Sequence, residues 1–206
     1  GYTYSPDGNL KTDSGKGILN ITYNYLDLPA HIQTDQGDIF ITYDASGRKL
    51  KQETVESGLG SGVITQYMDG IEVKDGQLEA VYHSEGRIVY DNGDFYNEGC
   101  IKDHLGNTRV RFADKDKNGT LDIDPLEVTD SNGETTIEYQ EYLGSNHYYP
   151  FGLEMSHKGV QTEVGNALWI DFQGGVENKY TYNGKEFLDD LDINWHYYGA
   201  RFYDPS

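Results

Sequence analysis

Ile21-Thr22-Tyr23-Asn24-Tyr25-Leu26-Asp27-Leu28 and Ile41-Thr42-Tyr43-Asp44-Ala45-Ser46-Gly47-Arg48 carry one pattern twice, 20 residues apart. Each copy opens with β-branched and aromatic residues, which favour a pleated, half-buried strand. A short polar residue follows, Asn24 or Asp44, whose side chain can accept a backbone N–H in an Asx turn. Three residues on, Asp27 and Gly47 occupy the position that suits a left-handed residue after a type I turn. Tyr4-Ser5-Pro6-Asp7-Gly8-Asn9, Tyr82-His83-Ser84-Glu85-Gly86-Arg87 and Lys102-Asp103-His104-Leu105-Gly106-Asn107 extend the series. The turns begin at 5, 24, 44, 83 and 103, with one slot near 64 altered. A period near 20 marks a repeat architecture, here two strands and a tight turn per unit.

Other turns fill the altered region. Met68-Asp69-Gly70-Ile71 and Lys74-Asp75-Gly76-Gln77 are Asp-Gly hairpin turns, and Gly58-Leu59-Gly60-Ser61-Gly62 is a flexible loop. Glu186 to Leu191 has room for one or two helical turns and no more. The expected fold is therefore all-β, made of consecutive antiparallel hairpins that form a curved sheet, part of a shell. Residues 1–112 read as repeat hairpins, 113–146 as an Asp-rich loop with a hairpin insertion, and 147–206 as a closing segment. Together they are expected to form one continuous β unit.

Composition narrows the function. The chain has 206 residues, 35 acidic against 16 basic, and a formal net charge of −19. No basic stripe is available to neutralise phosphates, so nucleic acid is excluded as partner. Mean hydropathy is −0.72, and no apolar run approaches the roughly 20 residues of a spanning helix, so no membrane insertion is expected. The start, Gly1-Tyr2-Thr3-Tyr4, is not a signal peptide. With 18 Tyr and 7 Phe, the core must draw on large, half-polar rings. Cys100 is the single cysteine, which rules out an internal disulfide and reads as a small apolar filler in a strand.

The Tyr43-Asp44-Ala45-Ser46-Gly47-Arg48 unit resembles the YD repeat of Rhs proteins. Asp103-His104-Leu105-Gly106-Asn107 resembles the strand turn of the Rhs-associated core, and His147-Tyr148-Tyr149-Pro150-Phe151-Gly152 its aromatic-Pro-Phe-Gly element. Tyr182-Asn183-Gly184-Lys185-Glu186 and Trp195-His196-Tyr197-Tyr198-Gly199-Ala200-Arg201-Phe202-Tyr203-Asp204-Pro205 resemble its closing signature. The resemblance runs from Tyr2 to Pro205. It implies a wall segment of the β-shell that Rhs, insecticidal Tc toxin and teneurin proteins build from such repeats, in a secreted or cell-surface parent. In toxin members the shell encloses a C-terminal toxin cargo, freed by aspartyl self-cleavage. The cleavage stretch that follows the Asp-Pro element in the family is absent here. Asp204 alone is an incomplete candidate, since dyad chemistry needs two carboxylates sharing a proton. No enzymatic activity is expected. Self-association through exposed sheet edges is expected.

Two further sites have competing readings. Asp114, Asp116, Asn118, Thr120 and Asp122 match the start of a calcium loop, with Gly119 at the sharp turn. The twelfth position is Pro125 rather than a bidentate Glu. The other reading is an exposed Asp/Asn/Gly hairpin tip. No cofactor is required, and calcium is the one candidate. Asp130, Glu134, Glu138 and Glu141 read as a solvated strand face rather than a glycosidase pair. Trp195, Tyr197 and Tyr198 offer a sugar-stacking platform, giving a carbohydrate-binding or adhesion module as the alternative function. They equally suit plugs buried against the sheet. The six histidines, His31, His83, His104, His147, His157 and His196, lack zinc spacing.

Overall fold

A computed structural model describes residues 1–122, 124, 126–129, 135–138, 141–155 and 176–206, with backbone alone for 126–128 and 135–138. The strands in chain order are β1 (Tyr2–Tyr4), β2 (Leu10–Asp13), β3 (Ile18–Tyr23), β4 (Pro29–Thr34), β5 (Gly37–Tyr43), β6 (Lys49–Glu56), β7 (Val63–Met68), β8 (Ile71–Lys74) and β9 (Gln77–His83). They continue with β10 (Gly86–Asp91), β11 (Asp94–Lys102), β12 (Thr108–Ala113), β13 (Leu126–Thr129), β14 (Thr135–Glu138), β15 (Tyr142–Ser145), β16 (Glu186–Leu188), β17 (Trp195–Tyr197) and β18 (Phe202–Tyr203). Among the described residues there is no α-helix, only two short 3-10 turns. The fold is all-β and built from consecutive antiparallel hairpins, as the repeat predicts. Glu186 to Leu188 is strand, and only Asp190–Asp192 makes a helical turn, of the 3-10 kind.

The chain divides into two compact units, residues 1–79 with 185–206, and residues 80–184. In the first unit β1 to β8 each pair antiparallel with the next strand in the chain. A separate three-stranded sheet, β16-β17-β18, belongs to the same unit. Its core is aliphatic: Ile18, Ile21, Ile32, Ile39 and Ile41 alternate inward from β3 to β5 and meet Leu188, Ile193 and Trp195. The period of two puts Ile39 and Ile41 on one face of β5, and an irregularity between Ile18 and Asn20 brings Ile18 to the same side as Ile21.

In the second unit β9, β10, β11 and β12 pair in chain order, and β15 returns beside β12. The β13–β14 hairpin lies between β12 and β15 in the chain. The apolar cluster is smaller: Val89, Tyr96, Ala113 and Leu143. Arg87, Glu98, Arg111, Glu141 and Asn178 are also buried.

The Asp69-Gly70 and Asp75-Gly76 turns form as expected, each with both central residues at positive φ. Asn92-Gly93 makes a third such turn between β10 and β11. One repeat unit departs from the expectation. Gly86 pairs with His83 across a two-residue turn and is not the left-handed residue of a five-residue turn. Glycine is needed there for another reason: a Cβ would fall on the backbone oxygen of Glu98.

Candidate functional site

The repeated turns share one geometry. In each, the backbone N–H of the first residue donates to the carbonyl of the fifth, and that of the fourth donates back to the first: Ser5 with Asn9 and Gly8, Asn24 with Leu28 and Asp27, Asp44 with Arg48 and Gly47, Asp103 with Asn107 and Gly106. The side-chain oxygen of Asn24, Asp44 or Asp103 accepts two further backbone N–H groups. These bonds also set the acidity. The Ser46 hydroxyl, the Arg48 and Ser46 amides and the Arg48 charge pull Asp44 down to about 2. Burial works against the Asp103 charge, yet hydrogen bonds from Asn107 and Leu105 hold its carboxyl below the usual range. Arg48 spans from Asp44 to Asp69, at 3.2 Å to each.

Tyr149-Pro150-Phe151-Gly152-Leu153 repeats the same pair of backbone bonds without an Asx residue. Pro150 sets φ for the turn, Phe151 and Gly152 follow at positive φ, and a Cβ on Gly152 would overlap the Tyr182 ring. The aromatic-Pro-Phe-Gly element is thus a further repeat turn in different chemistry.

Three of the tyrosines that precede a turn share one task. Tyr23 hydroxyl donates to the Leu10 carbonyl at 2.7 Å, Tyr43 to Pro29 at 3.0 Å, and Tyr148 to Thr108 at 3.2 Å. In every case the acceptor is the sixth residue counted from the start of the preceding repeat turn: Ser5, Asn24 or Asp103. The hydroxyl therefore ties one hairpin to the one before it. Burial raises the phenol pKa of Tyr23, Tyr43 and Tyr148. At Tyr23 and Tyr43 the sequence signal is the Tyr-Asx dipeptide, which Tyr148 lacks, and the acceptors lie 13, 14 and 40 residues away.

The closing signature supplies the next tie. Glu186 on β16 forms a buried ion pair with Lys49 and accepts the Tyr67 hydroxyl at 2.7 Å. The Lys49 ammonium sits 4.2 Å from the Tyr67 ring centroid and 5.2 Å from that of Tyr197. Tyr197 hydroxyl donates to the Gly47 carbonyl, and burial pushes its pKa up to about 12. Asp190 accepts from Gln52 and Thr54 on β6. Gly184 ends a 3-10 turn at positive φ, and Gly199 sits at positive φ in the turn between β17 and β18. Arg201 is exposed, with its carbonyl accepting the Tyr198 amide. Tyr203 stacks on His196, and Pro205 is half-buried.

Trp195 is 5% exposed, in the core, and offers no open ring face. Tyr197 is half-buried, while Tyr198 is exposed beside Lys185. The three do not form one open stacking platform; Trp195 and Tyr197 act as plugs. Asp204 pairs with Lys16 at 3.1 Å. Burial opposes its charge, but the Ser206 and Lys16 hydrogen bonds keep its pKa below the ordinary value. An ionised, cation-paired carboxylate is a poor proton donor.

In the second unit Arg87 pairs with Glu98 at 2.8 Å, both side chains almost wholly enclosed. Arg87 also donates to the carbonyls of Val176 and Glu177, and Asn178 donates to Glu98. Burial works against the Arg87 charge, yet Glu98 holds its pKa above the ordinary value, whereas burial pushes Arg111 down. Cys100, on β11 as expected, is half-buried, and burial raises its thiol pKa.

The acidic loop folds around its own carboxylates. Asp114 accepts the Asn118 and Gly119 amides, Asp116 the Asn118 amide, and Asn118 the Thr120 amide. Glu141 corrects the expectation of a solvated face. It is 2% exposed and reaches into the loop, accepting from Lys115 at 2.8 Å and from Asp122 at 2.6 Å. Ligand oxygens of Asp114, Asp116 and Glu141 lie within 4.8 Å of one another. Pro125, Asp130, Glu134 and His157 lie outside the described residues, as does the side chain of Glu138.

No family model matches the chain, and no curated protein gives a significant match. Solved structures do. The fold is that of a stretch of the TcdB2-TccC3 chains. The crystal structure of TcdB2-TccC3-TEV superposes over 98% of this chain with a TM-score of 0.58 at 16% identity. That of TcdB2-TccC3-Cdc42 covers 99% with a TM-score of 0.51 at 15% identity. The chain spans 9% and 10% of those two chains.

Proposed function

We propose that this chain is a wall segment of an Rhs-type toxin shell, whose parent encloses a C-terminal cargo and carries it to or beyond the cell surface. The observation that carries the reading is the tyrosine tie between successive hairpins, in a fold shared over nearly the whole chain with part of TcdB2-TccC3. The tie makes each hairpin a brick that specifies the position of its neighbour. The role is mechanical rather than catalytic, and the −19 charge favours solubility of an exported wall. The test is mass spectrometry of the protein purified from its native source. Peptides from beyond Ser206 that co-purify with the β-rich part support the reading. A native chain without a further C-terminal region overturns it.

A second reading concerns the acidic loop. We infer that it takes calcium, because Glu141 brings a carboxylate that the loop's own twelfth position lacks. Asp114, Asp116 and Glu141 bring carboxylate oxygens together, donors of the hard kind calcium takes, with Asn118 and Asp122 hydrogen-bonded to each other in the same loop. Calcium at about 100 times its Kd is expected to stabilise the protein by about 2.7 kcal/mol, reversibly with chelator. Glu141→Gln should remove most of that gain, while an unchanged melting temperature in calcium sinks the inference.

A further inference from the structure

We propose that the Lys49 and Glu186 side chains condense to an amide, a covalent cross-link between β6 of the hairpin sheet and β16 of the three-stranded sheet. This goes beyond the shell reading and does not depend on it. The two groups touch as an ion pair, and their side chains are only 5% and 4% exposed. The rings of Tyr67 and Tyr197 close over the ammonium, with centroids 4.2 Å and 5.2 Å from it.

Two charges removed from water can cost more than their attraction returns. Burial favours the neutral forms of both groups, in which one Nζ proton has passed to the carboxylate. That transfer creates both reactants at once: an amine with a free electron pair, and a carboxylic acid, which accepts a nucleophile where a carboxylate does not. The neighbours hold them for reaction. Gln52 Oε1 lies 3.3 Å from Lys49 Nζ and accepts from it, and Gln52 is itself fixed by donation from Nε2 to Asp190 at 3.0 Å. The Tyr67 hydroxyl donates at 2.7 Å to Glu186 Oε1, the oxygen on which negative charge develops during attack. The amine touches the other oxygen, Oε2. Groups already fixed in contact have little orientational freedom left to lose on reacting.

The step balances within the pair. Oε2 first takes one proton from Nζ. The freed Nζ electron pair then forms the Nζ–Cδ bond, and the carbonyl π pair moves onto Oε1 beneath the Tyr67 hydroxyl. When the carbonyl re-forms, the Cδ–Oε2 bond breaks. Oε2 leaves as water, carrying the proton it already held and a second one from Nζ. The third Nζ proton stays as the amide N–H. No activating reagent enters, and both buried charges disappear. The product joins strands that lie far apart in the chain, and a link across so long a loop restricts the unfolded chain strongly.

The test is the intact mass of the folded chain, held at neutral pH and sampled until it stops changing. The wild type should settle one water below the mass of its sequence. Lys49→Arg keeps the positive charge without a nucleophilic amine and should keep its full mass; the wild-type result decides even if that variant does not fold. Tryptic digestion of the wild type should yield Lys49–Lys51 joined to Glu186–Arg201. A cyclised aspartyl residue at Asp69-Gly70 or Asp75-Gly76 loses the same water but joins no two peptides. Three results overturn the proposal: the folded wild type keeps its full mass, water is lost without the joined peptides, or ammonia is lost instead and Lys49 is joined to Gln52.

Discussion

In the first unit, hairpins from β3 to β6 bury Ile18, Ile21, Ile32, Ile39 and Ile41 against Leu188, Ile193 and Trp195. In the second, hairpins from β9 to β12 bury Arg87, Glu98 and Arg111 beside a small cluster around Val89. The strands, the turns and the tyrosine tie are of one kind in both. What differs is the material that fills the inner face. An aliphatic core tolerates imperfect fit and loses stability in proportion to volume removed. A buried charge network holds only while every member is present. The same hairpin grammar is thus compatible with either filling, and each unit inherits a different sensitivity.

The largest expected effect sharpens that contrast. Glu98→Ala leaves Arg87 buried without its carboxylate and should cost about 3–5 kcal/mol. Amide hydrogen exchange should then show the second unit opening well before the first. Ile39→Ala, a comparable injury to the first unit, should cost about 2–5 kcal/mol by urea unfolding, with the protection loss reversed. If both substitutions lower protection equally everywhere, the units do not have separate cores and the comparison fails.

A smaller effect should be common to both. Tyr43→Phe in the first unit and Tyr148→Phe in the second each remove one hydroxyl from a buried carbonyl and should cost about 1 kcal/mol. Clearly unequal losses by urea unfolding would mean that the tie is structural in one unit and incidental in the other.

Alkaline pH acts on the same tyrosines. Burial raises their folded pKa above the ordinary 10, with Tyr197 up to about 12. Stability from the neutral phenols is complete below pH 10 and is lost as pH rises from 10 through the folded values. The urea midpoint should hold between about pH 8 and 9 and fall by about pH 11. The smallest effect lies at the acid end. Asp44 titrates at about 2 when folded against an ordinary 3.8, so its contribution is present above pH 4 and disappears as pH falls through 2. Asp44→Asn keeps the turn acceptor and should flatten that part of the acid limb; an unchanged acid limb would show that the carboxylate charge does nothing there.

Much of this was legible along the chain. Tyr-Asx followed by Gly three residues after the Asx position predicts both the turns and the strands around them, because every bond of that turn closes within five residues. Asp-Gly at 69–70 and 75–76 was readable for the same reason. Gly86 fits the sequence pattern for a different reason, since glycine is required there by a neighbouring strand and not by its own turn. The aromatic-Pro-Phe-Gly element was recognised by resemblance, but its identity as a further repeat turn was hidden, since Tyr149 lacks the Asx oxygen.

The sequence alone determined the hairpins, their antiparallel order and the need for aromatic filling, because propensity and turn chemistry are local. Only the tertiary structure decided which groups meet across long separations. Glu186 finds Lys49 and Tyr67, Glu141 turns from an apparent surface acid into a buried strut of the acidic loop, and Trp195 packs into the isoleucine core. Such pairings depend on how strands stack in register, and a carboxylate or an indole in a sequence carries no mark of the partner that folding will bring to it.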